Sequence, residues 1–199
     1  KKNYLDCEYE SFDGIDVKFP WELSRMNHLV TMAQAYLLTE DESFANEVAV
    51  QISDWWKHNP PGYGVNWACS MDVGMRAANV LMALGLLGDK FLKSRESLAR
   101  FLPAFFYHHA AHILKNLELP TNHLLGDLTG LAFVAKCYPY FHASLSWEQF
   151  AYQGFIDQMQ KQVLDDGMDF EGSTSYHRLV SEFFLAHRLI FSAEGFSRP

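Results

Sequence analysis

Beyond Pro20, apolar residues recur at three- and four-residue intervals along nearly the whole chain, the spacing of one helix face. Leu23, Met26, Leu29 or Val30, Ala33 and Leu37 predict a first helix over about Trp21 to Thr39. "TEDES" interrupts the pattern and gives an acidic start to a second helix, about Glu42 to His58. "HNPPGYGVN" is a Pro/Gly loop. A third helix is predicted over about Trp67 to Leu87, and a fourth from near Ser94 to about Leu119, kinked or split at Pro103. A fifth follows Pro120, about Asn122 to Tyr138. "SWEQ", Ser146 to Gln149, reads as a capping box opening a sixth helix that ends at "DDG". The seventh runs from near Ser173 to about Ala193. Only "DVKF", Asp16 to Phe19, alternates as a strand would. The pattern is all-α: helical hairpins on short loops, forming either an α-solenoid or an α/α toroid.

Composition changes this picture little. A chain of 199 residues, 49% hydrophobic and 15% aromatic, supports one domain over residues 1–199 with a substantial core. The net charge of −8 opposes nucleic acid as a partner, yet a local basic cleft on an acidic protein still admits an acidic polysaccharide. Cys7, Cys69 and Cys137 form neither a CxxC pair nor a disulfide framework. No metal or other cofactor is expected, and neither a signal peptide nor a membrane span is read in the sequence.

The chemistry concentrates at helix starts. Asn122 and His123 open the fifth helix, and Tyr176, His177 and Arg178 open the seventh. Asn66 and Trp67 precede the third helix, in which Asp72, Arg76 and Asn79 share a face. Trp21, Arg25 and His28 share a face of the first. Helix N-termini offer free N–H groups and positive dipole ends, so a site ringed by them suits an anion. The bland reading of each residue is a cap, a packed aromatic or a surface ion pair. His108 and His112 in "HHAAH" have metal-ligand spacing, but the glutamate of an HExxH motif is absent.

Read in order, "FPWELSRMNHL", "NPPGYGVNWACSMDVGMRAANVL", "NHLLGDLTGLAFVA" and "DGMDFEGSTSYHRLVSEFFL" resemble the heparinase II/III family of polysaccharide lyases. The resemblance implies an incomplete α/α toroid, followed in the same polypeptide by a C-terminal β-sandwich domain that this chain lacks. It implies β-elimination of a uronic-acid polysaccharide in a periplasmic or secreted setting. Asn122 is similar to the residue contacting the uronate carboxylate, Tyr176 to the catalytic acid and often base, and His123 to an assisting histidine. A further catalytic histidine belongs to the β domain. Arg25 and Arg76 would clamp carboxylate or sulfate, Trp67 would stack on a sugar, and Asn66 and His177 would contact substrate. Heparan sulfate, alginate and other uronate polymers all stay open; 16 Lys plus Arg lean towards sparse sulfation. The alternatives are a glycoside hydrolase using Asp72, Asp127 or Glu171, and a non-catalytic glycan-binding module.

Overall fold

The computed structural model describes residues 1–8 and 16–192. Among these lie eight α-helices: α1 Lys18–Ser24, α2 Asn27–Thr39, α3 Glu42–His58, α4 Ser70–Lys93, α5 Glu96–Lys115, α6 Asn122–Cys137, α7 Ser144–Gln162 and α8 Thr174–Ser192. Ala193, where the last predicted helix ends, lies outside the described residues. The described residues contain no strand, only the isolated bridges Asn3 with Tyr63 and Val163 with Asp169. "DVKF", the one stretch that alternates as a strand would, is a helix start, where Asp16 Oδ1 accepts the Lys18 N–H at 2.9 Å.

α2, α4, α6 and α8 stand side by side, with α3, α5 and α7 packed behind them. Each rear helix returns the chain, so the four front helices run the same way. This is an open arc of an α/α toroid, and the starts of its inner helices gather along one edge. The core fills the space between the layers, with Ile52, Trp67, Phe105, Phe106 and Ile113 among its fully buried side chains.

The predicted first helix is two helices. Met26 adopts left-handed backbone (φ 60°, ψ 28°) between α1 and α2. That conformation costs a non-glycine residue about 1–2 kcal/mol. Met26 is buried, and α4 takes up the carbonyls that the break releases. Arg76 Nη1 donates to Ser24 O at 3.3 Å and Asn79 Nδ2 to Arg25 O at 2.8 Å. The face shared by Asp72, Arg76 and Asn79 therefore points inward and fastens this break. Trp21, Arg25 and His28 straddle it and no longer share a helix face; Trp21 Nε1 donates to Val65 O at 2.7 Å, and His28 pairs with Gln51.

Other boundaries moved for local reasons. α4 continues past the expected Leu87 through a turn at Gly88 (φ 74°, ψ 178°) to Lys93. Pro103 sits inside α5 without ending it. "SWEQ" is not a capping box: α7 starts at Ser144, and Ser146 Oγ donates back to Ala143 O at 2.8 Å.

α4 and α6 cross where their backbones touch. A Cβ on Gly130 would lie 2.3 Å from Gly74 Cα and 2.6 Å from Gly74 O, and one on Gly74 would lie 2.5 Å from Gly126 O. Backbone cannot yield as a side-chain tip does. Gly130→Ala is expected to destabilise the protein by about 3 kcal/mol through overpacking. A denaturant midpoint equal to wild type would contradict this contact.

Candidate functional site

The edge that collects the inner helix starts is rich in carboxylates. α4 and α6 each receive one from the loop leading to the next inner helix. The Met71 N–H in the first turn of α4 donates to Glu118 Oε2 at 2.7 Å. The Asn122 N–H opening α6 donates to Glu171 Oε1 at 2.9 Å. Both carboxylates sit where a helix dipole favours negative charge. The free N–H groups expected for an anionic ligand are thus largely taken by the chain itself.

Asn122, only 4% exposed, also donates from Nδ2 to both Glu171 oxygens, at 2.7 and 3.0 Å. Thr121 caps α6 by accepting the His123 N–H at 3.2 Å, so Asn122 is a first-turn residue and not the cap. His123 Nδ1 lies 3.2 Å from Glu118 Oε1. Its hydrogen bond to Glu118 raises the imidazole pKa against the effect of burial. Burial would raise Glu118, but hydrogen bonds from His123 and the Met71 N–H hold it below its ordinary value. The pair thus favours imidazolium and carboxylate.

Tyr176 lies in the first turn of α8 and is 46% exposed. Its backbone N–H reaches Ser173 Oγ at 3.4 Å, which makes Ser173 the cap. Tyr176 lines a cavity of about 400 Å³ with Arg25, Asn27, Asn79, Arg178 and Glu182, beside apolar Met75 and Phe183. Asn122 and His123 do not line it. Glu171 nevertheless ties Asn122 to the loop that leads into Tyr176. His177 accepts the Asp169 N–H on Nδ1 at 3.3 Å and braces that same loop.

Four expected ligand contacts are engaged by other groups of the chain. Arg76 is fully buried, with its guanidinium 4.1 Å from the centre of the Trp55 ring. Nε donates to His109 Nε2 and Nη2 to Asn66 O, each at 3.0 Å. Trp67 is fully buried too, packs on Trp55 and His109, and offers no face to a sugar. Asn66 donates to Asn59 Oδ1 at 2.9 Å within the Pro/Gly loop. Arg25 does reach the cavity, but Asp72 engages its Nε and Glu22 its Nη1, so it is no free clamp. For Arg76 and Trp67 burial was the missing variable, since residue type and helical spacing do not say which way a face points.

His109 and His112 of α5 pack on Trp67, whereas His108 is exposed. His109 donates from Nδ1 to Phe105 O at 2.7 Å, leaving Nε2 to accept from Arg76. Cys69, Glu118 and His123 stand close enough to share a metal ion. Hydrogen bonding accounts for their approach, with Cys69 Sγ donating to Glu118 Oε2 at 3.6 Å.

Burial lowers His112 and His187 to about 4 and pushes Asp127 up to about 7. The two histidines stay neutral in the fold below the pH at which the unfolded chain protonates them. Their contribution is therefore lost as pH falls from about 6.5 to about 4. Asp127 acts oppositely: its protonated form contributes at low pH, and that contribution is lost as pH rises towards 7. Two histidines outweigh one aspartate, and His109, also lowered, adds to them. Stability is expected to fall by a few kcal/mol between pH 6.5 and 4. A urea midpoint that stays level or rises over that window would contradict this balance.

The paired layers and the aligned inner helix starts define the class as α/α toroid. The chain belongs to the family described as Heparinase II/III N-terminus, whose profile matches residues 2–198. It is 28% identical over 183 residues to a heparin-sulfate lyase of Pedobacter heparinus, covering 90% of this chain and 28% of that protein. It is 26% identical to a heparin-sulfate lyase of Bacteroides stercoris, covering 96% and 32%. The crystal structure of the heparan sulfate lyase HepC from Pedobacter heparinus superposes with a TM-score of 0.71 at 25% identity, covering 93% of this chain and 30% of that one. The chain spans less than a third of the length of the curated relatives it matches.

Proposed function

We propose that this chain is the helical part of a polysaccharide lyase that cleaves a uronic-acid polysaccharide by β-elimination. The observation that carries the reading is the link through Glu171. It brings the Asn122 end of α6 and the loop entering the Tyr176 end of α8 to one edge of the toroid. Family membership and the lyases among the relatives point to the same reaction. Those relatives also make a polymer of the heparan sulfate type the first substrate to try.

The chemistry assigns each group a task. The proton on C5 of a uronate is weakly acidic because the neighbouring carboxylate is already charged. Asn122 donates to that carboxylate and stabilises the charge that builds as the C5–H bond breaks. The C5 electron pair becomes the C4–C5 double bond and the C4–O bond breaks. Tyr176 delivers a proton to the departing oxygen, and as tyrosinate it can first accept the C5 proton. His123, held by Glu118, stands next to Asn122 in the first turn of α6 and assists there. The cavity beside Tyr176 receives the adjoining sugar, with Arg178 facing its anionic groups. A β domain further along the polypeptide would close the cleft and supply a second histidine.

Hydrolysis fits less well. It needs two carboxylates facing each other across the bond. Asp72 pairs with Arg25, Asp127 accepts the Glu118 N–H, and Glu171 holds Asn122. The deciding experiment incubates the intact protein with heparan sulfate, highly sulfated heparin, alginate and other uronate polymers. An ultraviolet-absorbing unsaturated uronate at the new non-reducing end supports the lyase. Cleavage that leaves a saturated end would replace it with hydrolysis.

A further inference from the structure

We infer that Glu171 is a positioning residue: it fixes the orientation of the Asn122 side-chain amide. The inference rests on the role proposed for Asn122. It starts from three contacts of one carboxylate. Glu171 Oε1 accepts from the Asn122 backbone N–H at 2.9 Å and from Nδ2 at 2.7 Å, and Oε2 accepts from Nδ2 at 3.0 Å.

The two oxygens of a carboxylate are about 2.2 Å apart, so at these distances they subtend about 45° at Nδ2, whereas the two N–H bonds of an amide diverge by about 120°. Both oxygens therefore share a single N–H in a three-centre bond. The second N–H points away from Glu171.

Orientation follows from what a carboxylate can do. An asparagine side chain can turn over and exchange its oxygen for its nitrogen. An ionised carboxylate only accepts, so it rejects the orientation that would present Oδ1 to it. A flipped Asn122 would offer an oxygen to a uronate carboxylate, and two acceptors repel. Glu171 thus sets the polarity of the group that is to stabilise the growing charge. The backbone N–H on Oε1 fixes the carboxylate in turn, and that N–H is held in the first turn of α6.

The test is a double-mutant cycle in the intact protein, read as kcat and KM on a polymer that the wild type cleaves. Glu171→Ala is expected to lower kcat about 100-fold with KM within a few fold. Glu171→Gln keeps one acceptor but adds a donor, so it admits both amide orientations and recovers part of the loss. The decisive readout is Glu171→Ala in an Asn122→Ala background, where no further loss is expected because the residue it orients is gone. Losses that multiply would mean that Glu171 acts on the fold or on Tyr176 independently of Asn122, and would overturn the inference alone. Full activity in Asn122→Ala would instead overturn the reading of Asn122, and this inference with it.

Discussion

Tyr176→Phe in the intact protein is expected to lower the rate of unsaturated product formation by about 10²- to 10⁴-fold, the usual scale for one acid–base group. The substitution removes a single oxygen. The ring keeps its place in the first turn of α8, and the Ser173 cap, which uses backbone N–H, is untouched. Nearly half of the residue is exposed, so little packing is lost. Stability is expected to stay within about 0.5 kcal/mol of wild type. A chemical effect therefore separates cleanly from a folding effect, and substrate affinity measured without turnover should persist. Product formation at the wild-type rate would remove Tyr176 from the mechanism while leaving the family and the fold unaffected.

The second large effect lies in the core. Arg76→Ala is expected to cost about 4 kcal/mol, read as a lowered denaturant midpoint. Arg76 sits between layers with neutral acceptors around its guanidinium: Ser24 O, Asn66 O and His109 Nε2. Burial lowers its pKa to about 9, partly offset by Asp72. Alanine would empty the space over the Trp55 ring and leave those three acceptors without a donor. It would also release one of the carbonyls freed by the break at Met26. Arg76→Lys keeps a charge and some volume but presents one nitrogen where the fork presents three. It is expected to recover less than half of the loss. Wild-type stability in Arg76→Ala would return this residue to the cleft, where its spacing first suggested it belonged.

Much of the helical framework was legible because its causes are local. Apolar spacing and an acidic first turn placed α3 over Glu42–His58, and Asp41 does accept the Ser43 N–H at 2.9 Å. The start of α6 was legible for the same reason. The polar helix starts at Asn122, His123 and Tyr176 stood out because such residues at the head of apolar helices are conspicuous in one dimension. Trp67 and Arg76 misled for the opposite reason. Their residue types suit sugar binding, and only burial distinguishes a stacking platform from a core aromatic. The partners of Glu118 and Glu171 were not legible, although each is an acidic residue shortly before an inner helix. That position was the available signal. Its meaning lay with Met71 and Asn122, far away along the chain.

The sequence by itself determined that this protein is a series of helical hairpins, where most of them begin, and which helix starts are polar. Hydrogen bonds within helices span four residues, and their propensities act over one or two turns, so a linear reading captures them. The tertiary structure alone decided three further things: the break at Met26, the inward turn of the Arg76 face, and the capture of α4 and α6 starts by Glu118 and Glu171. Each depends on groups dozens of residues apart meeting in a water-poor space. There an unpaired donor or acceptor costs more than a strained backbone or a buried cation.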